Sequence, residues 1–261
     1  GLHLFNLSHP WGHGVPSYPG QRDVAMSRAV KHSEHGVLSW RISTSMHSGT
    51  HMNAPIHLIQ GGADLAQLSP SLFFGNGVVL DIPKDNYDVV TAADLEAAST
   101  PVRDGDIVVI VTGWHRRYSD GLEYFGEAPG LTEDAAAWLV SKRAKLVAVD
   151  TPQIDHPLAT SLGPHRGGPL MKRLAQAYEE KTGLEARQVH SKWNVAHKTL
   201  LRAGIPTIEQ VGGDVSDLAA RRATFAATPW RLSKGDACPI RFVAMVDPSG
   251  SLRIDAGHQT I

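Results

Sequence analysis

The segment DIVVIVTG, residues 106–113, decides the fold class of this 261-residue chain. Its unbroken run of Val and Ile between polar and glycine residues is typical of a strand buried on both faces. Similar short apolar runs occupy residues 36–44 (GVLSWRIST), 77–82 (GVVLDI), 145–151 (KLVAVDT) and 241–247 (RFVAMVD). Helical patterns lie between them, with Thr91 and Thr132 as expected N-caps. Strands that alternate with helices predict an α/β fold.

The chain is predicted to form a single domain over residues 1–261, because it contains no internal repeat and no low-complexity linker. Residues 156–196 are the least regular part, and we call them the excursion. They read as a loop, one helix and a connector. Long excursions of this kind often cover a pocket or contact a partner.

Composition favours small-molecule chemistry. The net charge is −1, with 42% hydrophobic and 20% charged residues, so no strong field would attract nucleic acid or a membrane surface. The single Cys238 excludes an internal disulfide. No apolar run reaches the roughly 20 residues of a membrane span, and the first residues lack a signal-peptide pattern. We therefore expect a cytoplasmic protein.

A cluster of histidines follows the first predicted strand. The stretch TSMHSGTHMNAPIHL, residues 44–58, contains His47, His51 and His57. The four-residue spacing of His47 and His51 would suit a helix, but Gly49 and Pro55 disfavour one, so a bent loop is expected. The alternative is a polar loop with chance histidines. Imidazole together with an oxygen ligand suits Zn²⁺ or Mn²⁺.

This stretch resembles the H-x-G-T-H-x-D-x-P-x-H signature of the cyclase-like metal hydrolases, the family of bacterial kynurenine formamidase and isatin hydrolase. Similar agreement is found in LSHPWGHGVPSYPG (7–20), VAVDTPQIDHP (147–157) and AHKTLLRAGIPTIEQV (196–211). The resemblance implies a swivelling β/β/α fold and a homodimer or homotetramer. It also implies a divalent metal, Mn or Zn, that activates water against an amide, ester or lactam carbonyl.

The resemblance also assigns residues. The implied metal ligands are His47, His51, Asn53, His197 and Glu209. His57 is the implied general acid/base. An alternative for Glu209 is a salt bridge with Arg202.

Asn53 departs from the signature, which has Asp in its place. An amide offers one neutral oxygen and bridges two metals poorly. Three explanations remain open at this point. Asn53 could tune a mononuclear site with Glu209 supplying the charge, it could be a deliberate inactivating substitution, or the chain could bind a ligand without turning it over.

Three residues are candidates for substrate binding. Tyr18 lies where the family often has an aromatic contact, Trp114 follows a predicted strand, and Gln153 replaces a residue that is commonly small. Plain packing is the alternative for Tyr18 and Trp114. Asp150 is expected to be a structural hydrogen-bond acceptor, and His165 and His190 of the excursion are expected at the surface.

The predicted function is metal-dependent hydrolysis of a C–N bond in a small amide, lactam, cyclic imide or formamide. A cyclase or dehydratase that uses the same site is the enzymatic alternative. A non-catalytic ligand-binding homologue is the alternative from another class.

Overall fold

The computed structural model describes residues 1–164 and 169–250, apart from the side chain of Pro169. The strands are β1 (His3–Asn6), β2 (Ala25–Val30), β3 (Ser39–Ser43), β4 (His51–Asn53), β5 (Phe74–Asp81), β6 (Val89–Val90), β7 (Ile107–Val111), β8 (Gly130–Leu131), β9 (Leu146–Val149), β10 (Thr207–Glu209), β11 (Arg222–Ala226), β12 (Ala237–Pro239) and β13 (Val243–Val246). The α-helices are α1 (His32–His35), α2 (Ala92–Ala97), α3 (Leu122–Gly126), α4 (Glu133–Ser141), α5 (Pro169–Thr182), α6 (Ala186–Val189) and α7 (Val195–Arg202).

Nine of these strands form one mixed sheet in the order β1-β13-β11-β5-β7-β9-β10-β4-β12. The middle strands β5, β7, β9 and β10 run parallel to one another. Strand β4 pairs antiparallel with both β10 and β12. The predicted α/β fold class is therefore confirmed.

The sheet is covered on both faces, which explains its central apolar runs. On β7, Val109 belongs to one hydrophobic cluster, whereas Val108 and Ile110 belong to a second cluster that includes residues of α4 and α7. Successive side chains of a strand point to opposite faces, so one Val/Ile run fills both cores. Cys238 on β12 is fully buried in the first cluster.

The predicted strand at residues 36–44 behaves differently. Strand β3 forms an antiparallel pair with β2 outside the main sheet, and all five of its residues are exposed. The prediction of a strand is correct, but β3 is not part of a buried core. Its Trp40 and Ile42 remain 45% and 48% exposed.

The two helix starts inferred from the sequence are observed. Thr91 caps α2 in a reciprocal arrangement with Asp94, and the hydroxyl of Thr132 accepts a hydrogen bond from Ala135 N at the start of α4. These side chains satisfy backbone N–H groups that have no partner inside the helix.

The described part of the excursion consists of a 3₁₀ turn at Pro157–Ala159, followed by α5 and α6. It packs through an aromatic cluster that includes Trp114, Tyr124, Leu174 and Tyr178. Among the described residues, no helix has the length and apolar character that crossing a membrane requires.

Candidate metal centre

A cavity of about 430 Å³ opens beside the ends of β4 and β10. Its wall includes His47, His51, His57, Gln153, His197, Glu209 and Gln210, together with Tyr18 and Gln21 from the first segment. The excursion adds Thr160, Ser161, Trp193 and Asn194. The structure thus brings together five of the six residues that the resemblance assigns to metal binding and proton transfer.

The pairing of β4 with β10 builds the floor of this site. His51 is the Cα partner of Glu209, and Asn53 is the Cα partner of Thr207. Residues two apart on a strand share a face, so two cross-strand pairs present their side chains together. A short segment after a Gly-containing bend therefore supplies His51 and Asn53 from a strand, although a bent loop was expected.

Gly49 makes that bend possible. Its φ is +61°, a left-handed conformation that residues with a Cβ rarely adopt, and an added Cβ would lie 3.0 Å from Trp11. The carbonyl of Gly49 also accepts a hydrogen bond from His51 Nδ1 at 2.8 Å.

That hydrogen bond determines which nitrogen of His51 faces the cavity. A carbonyl oxygen only accepts, so Nδ1 carries the proton, and neutral His51 presents the lone pair of Nε2. Nε2 lies 3.1 Å from the Glu209 carboxylate. Two acceptors at this distance need a proton or a metal ion between them. Fixing one imidazole nitrogen through a backbone carbonyl is also how metal-binding histidines are oriented.

His197 completes this side of the site. Its Nδ1 lies 3.7 Å from Glu209 Oε1, and its Nε2 lies 2.7 Å from the hydroxyl of Thr207. Burial lowers the pKa of His197 to about 3 against the opposing effect of Glu209, so the imidazole is neutral at pH 7. Burial would raise the pKa of Glu209, but His51 and His197 outweigh it and lower that pKa to about 2. The alternative pairing of Glu209 with Arg202 is not observed among the described contacts.

Asp155 holds the first turn of α7, which carries His197, in place. Its carboxylate accepts hydrogen bonds from the backbone N–H groups of Ala196 and His197, at 2.8 and 2.9 Å. These groups lie in the first turn of α7, where no intrahelical acceptor is available. Burial raises the pKa of Asp155 to about 7, although the two N–H groups act in the opposite direction.

The other side of the site contains a carboxylate that sequence reasoning missed. Asp236 Oδ2 lies 2.8 Å from His47 Nε2 and 3.3 Å from His57 Nδ1. Their side chains are 14%, 26% and, for Asp236, 46% exposed. Hydrogen bonds with His47 and His57 hold the pKa of Asp236 well below its usual range. No local pattern marks Asp236, because it is separated from His47 by 189 positions.

Asn53 lies two residues after His51 on β4 and is not among the residues that line the cavity. It is fully buried, and its Nδ2 donates to Thr207 Oγ1 at 3.4 Å. Its Oδ1 has no hydrogen-bond partner in the described part of the chain. Its role as a metal ligand remains a prediction.

Two of the three candidate substrate-binding residues line the cavity. Tyr18 and Gln153 line the cavity, and Tyr18 also shares a 2.7 Å hydrogen bond with Thr160 of the excursion. Trp114 is 1% exposed, donates its indole N–H to Tyr124 O and packs in the aromatic cluster. Trp114 is therefore a core packing residue, the alternative that the sequence also allowed, and it is not among the residues that line the cavity.

Two further expectations have clear outcomes. Asp150 is a structural acceptor, as predicted, since it receives hydrogen bonds from Thr112 N and Gly113 N and contacts His115 Nδ1 at 2.8 Å. His190 was expected at the surface but is 7% exposed and stacks on His156 with ring centroids 4.0 Å apart. His165 lies outside the described residues.

The donor set fits a divalent metal. Four imidazoles and the carboxylate of Glu209 line one cavity, and the carboxylate of Asp236 contacts two of these imidazoles. Cys238, the only cysteine, lies in the core. Nitrogen and oxygen ligands of this kind suit Zn²⁺ or Mn²⁺. His47, His51, His197 and Glu209 line the cavity and stay the predicted ligands. The ligand atoms that lie within 4.8 Å of one another belong to His47, His57 and Asp236.

The sheet of this chain has the fold of solved cyclase-like hydrolases. The chain has a TM-score of 0.73 to a crystal structure of an isatin hydrolase bound to the product analogue thioisatinate, at 20% identity, with 94% of this chain and 92% of that chain covered. It has a TM-score of 0.68 to a potential metal-dependent hydrolase with cyclase activity, at 22% identity, with 95% and 100% covered.

Sequence comparison agrees with this class. The chain is 24% identical over 239 residues to the kynurenine formamidase of Bacillus thuringiensis (strain Al Hakam), an alignment that covers 91% of this chain and 95% of that protein. The Cyclase family model matches residues 5–156, more than half of the chain. The chain therefore belongs to the Cyclase family, and the prediction that it is an enzyme of this family is confirmed.

Proposed function

We propose that this protein hydrolyses a C–N bond of a small amide, lactam, cyclic imide or formamide with a bound divalent metal, Mn or Zn. The observation that carries the proposal is the cavity in which His51 Nε2 faces Glu209 at 3.1 Å, beside His47, His57 and His197. The kynurenine formamidase and isatin hydrolase relatives support this substrate class.

In this proposal, the metal and the residues of the cavity have different roles. When bound, the metal supplies Lewis acidity that lowers the pKa of water and polarises a carbonyl. His57 takes a proton from water and returns it to the leaving nitrogen, a role that imidazole performs near neutral pH. Tyr18 and Gln153 contact the substrate from the wall of the cavity. A homodimer or homotetramer and a cytoplasmic location are further parts of the proposal.

The test is metal analysis of the purified protein, followed by an activity screen of N-formyl arylamines and cyclic imides with added Mn²⁺ or Zn²⁺. We expect stoichiometric metal and hydrolysis that is abolished by chelation and restored by metal. Turnover without incorporation of water would point to a cyclase or dehydratase. Metal binding without any turnover would overturn the proposed hydrolysis and favour a ligand-binding homologue.

A further inference from the structure

The site lacks the carboxylate that Asn53 would supply if it were Asp. Asn53 contributes a neutral amide, is fully buried and contacts Thr207. A divalent ion gains much from an anionic ligand in a partly desolvated site, because unit charges about 4 Å apart interact by several kcal/mol at an effective dielectric constant near 20. Some other residue on the His47 side of the cavity could provide that charge.

Asp236 is next to Asn53 in the sheet. Strand β12 begins at Ala237, the Cα partner of Asn53 on β4. Asp236 therefore immediately precedes that partner, and its carbonyl accepts a hydrogen bond from Ala54 N at 2.8 Å. The sheet thus carries a carboxylate beside position 53, on the adjacent strand.

The side chain of Asp236 is directed to the histidines. A single oxygen, Oδ2, lies 2.8 Å from His47 Nε2 and 3.3 Å from His57 Nδ1, and donor atoms of the three residues all lie within 4.8 Å of one another. Two atoms that bind one ion at about 2.1 Å each are at most about 4.2 Å apart. His47 and Asp236 satisfy this limit without movement.

We propose that Asp236 is the anionic metal ligand on the His47 side of the site, in place of the carboxylate that position 53 lacks. The inference rests on the proposed metal-dependent function and assigns a ligand to it. It also explains how a chain with Asn53 retains charge for a divalent ion, since Glu209 and Asp236 then both supply negative charge.

Measurement of metal affinity distinguishes this role of Asp236 from another possible role. The carboxylate could act only on His57, by fixing its tautomer through Nδ1. In that case its removal would change the pH profile and kcat and would leave metal affinity unchanged. A metal ligand, in contrast, changes affinity in the absence of substrate.

The experiment is calorimetric titration of the metal-free protein with Zn²⁺ and Mn²⁺. Three variants are compared with the unmodified chain: Asp236→Asn, Asn53→Asp and the combination of both. Asp217→Asn is the control, because Asp217 is an exposed carboxylate outside the cavity wall. The visible spectrum of bound Co²⁺ provides a second measurement, since it changes when a ligand is lost. Circular dichroism checks that each variant is folded.

We expect Asp236→Asn to weaken metal binding by more than about 100-fold, which exceeds the 10- to 100-fold loss typical of residues that only support a metal ligand. The combined variant should recover most of this loss, because it moves the carboxylate from position 236 to position 53. The control should bind as the unmodified chain does.

Unchanged metal affinity in Asp236→Asn would overturn the inference, and an altered pH profile alongside it would assign Asp236 to His57. Loss without recovery in the combined variant would overturn the claim that position 236 replaces position 53. If the unmodified chain binds no divalent metal, the proposed function itself fails. These outcomes separate failure of the ligand assignment from failure of the function.

Discussion

His57 lies at the junction of the two sides of the site. Its ring centroid is 4.3 Å from that of His47 and 5.6 Å from that of His197, and it is one of the more exposed histidines of the cavity. A proton shuttle needs this combination of access to solvent and contact with the reacting atoms. In its exposure to solvent, His57 differs from His51, which is almost completely buried.

Replacing His57 with Ala should keep the metal and lower kcat by about 10²- to 10⁴-fold, the range for loss of general acid/base catalysis. Metal content and steady-state kinetics of the same sample measure both effects. The His51→Ala variant serves for comparison and should lose metal together with activity. Metal loss in His57→Ala would show that His57 is a ligand.

At the scale of elements, α7 depends on a side chain from a distant loop. Asn194 at its N-cap position makes no side-chain capping bond, and Asp155 performs that function from the segment after β9. Since α7 carries His197, the cap also positions a candidate ligand.

Replacing Asp155 with Ala should lower the free energy of unfolding by about 1–3 kcal/mol, because two buried N–H groups lose their acceptor. It should also weaken metal binding through the shifted His197. Thr91→Ala, which removes the cap of α2 remote from the cavity, should cost about 1 kcal/mol and leave metal affinity unchanged. Chemical denaturation measures the free energy of unfolding of both variants, and calorimetry measures their metal affinity. Equal metal affinity in Asp155→Ala would mean that α7 is held by its packing alone.

At the scale of the whole molecule, the buried pair His156 and His190 makes stability depend on pH. Burial holds the pKa of His156 well below its usual range, and the neighbouring His190 acts in the same direction. The unfolded chain then binds more protons than the folded chain below pH about 6.5. Stability is therefore full above that pH and falls as acid is added.

The free energy of unfolding should drop by up to about 2 kcal/mol between pH 7 and pH 5 from this group alone. His156→Asn removes the titration and retains an acceptor for Leu158 N, which His156 Nδ1 now provides. The free energy of unfolding of this variant should depend less on pH than that of the unmodified chain. The control His35→Asn, at the exposed end of α1, should keep the pH dependence of the unmodified chain. An unchanged slope in His156→Asn would assign the acid sensitivity to other groups.

Much of this architecture follows from local sequence. The Val and Ile runs give β5, β7 and β9, because burial on both faces of a parallel sheet requires them. The spacing of His47, His51 and His57 gives most of the site, since all three lie within one short stretch. The packing of β3 outside the sheet depends on its tertiary partners, and periodicity does not report those.

The placement of two side chains, Asp236 and Trp114, could not be derived in this way. Asp236 meets His47 only because β12 pairs with β4 across the sheet, and a long-range strand register has no local signal. The direction of Trp114 after β7 is set by the aromatic cluster of the excursion. Sequence indicates that an aromatic residue follows the strand, but the neighbours of its ring decide which way it turns.

The reactivity of the Cys238 thiol can be used to measure local opening of the sheet edge. Cys238 is the only thiol, burial raises its pKa, and it lies opposite Met52 on the edge strand β12. A buried, protonated thiol reacts slowly with alkylating reagents, so the rate of its modification measures how often this edge of the sheet separates from β4. Asp236 and His51 lie on the same two chain segments. An ion held between those segments would therefore also protect the thiol, and alkylation kinetics would record occupancy of the cavity from the opposite side of the sheet.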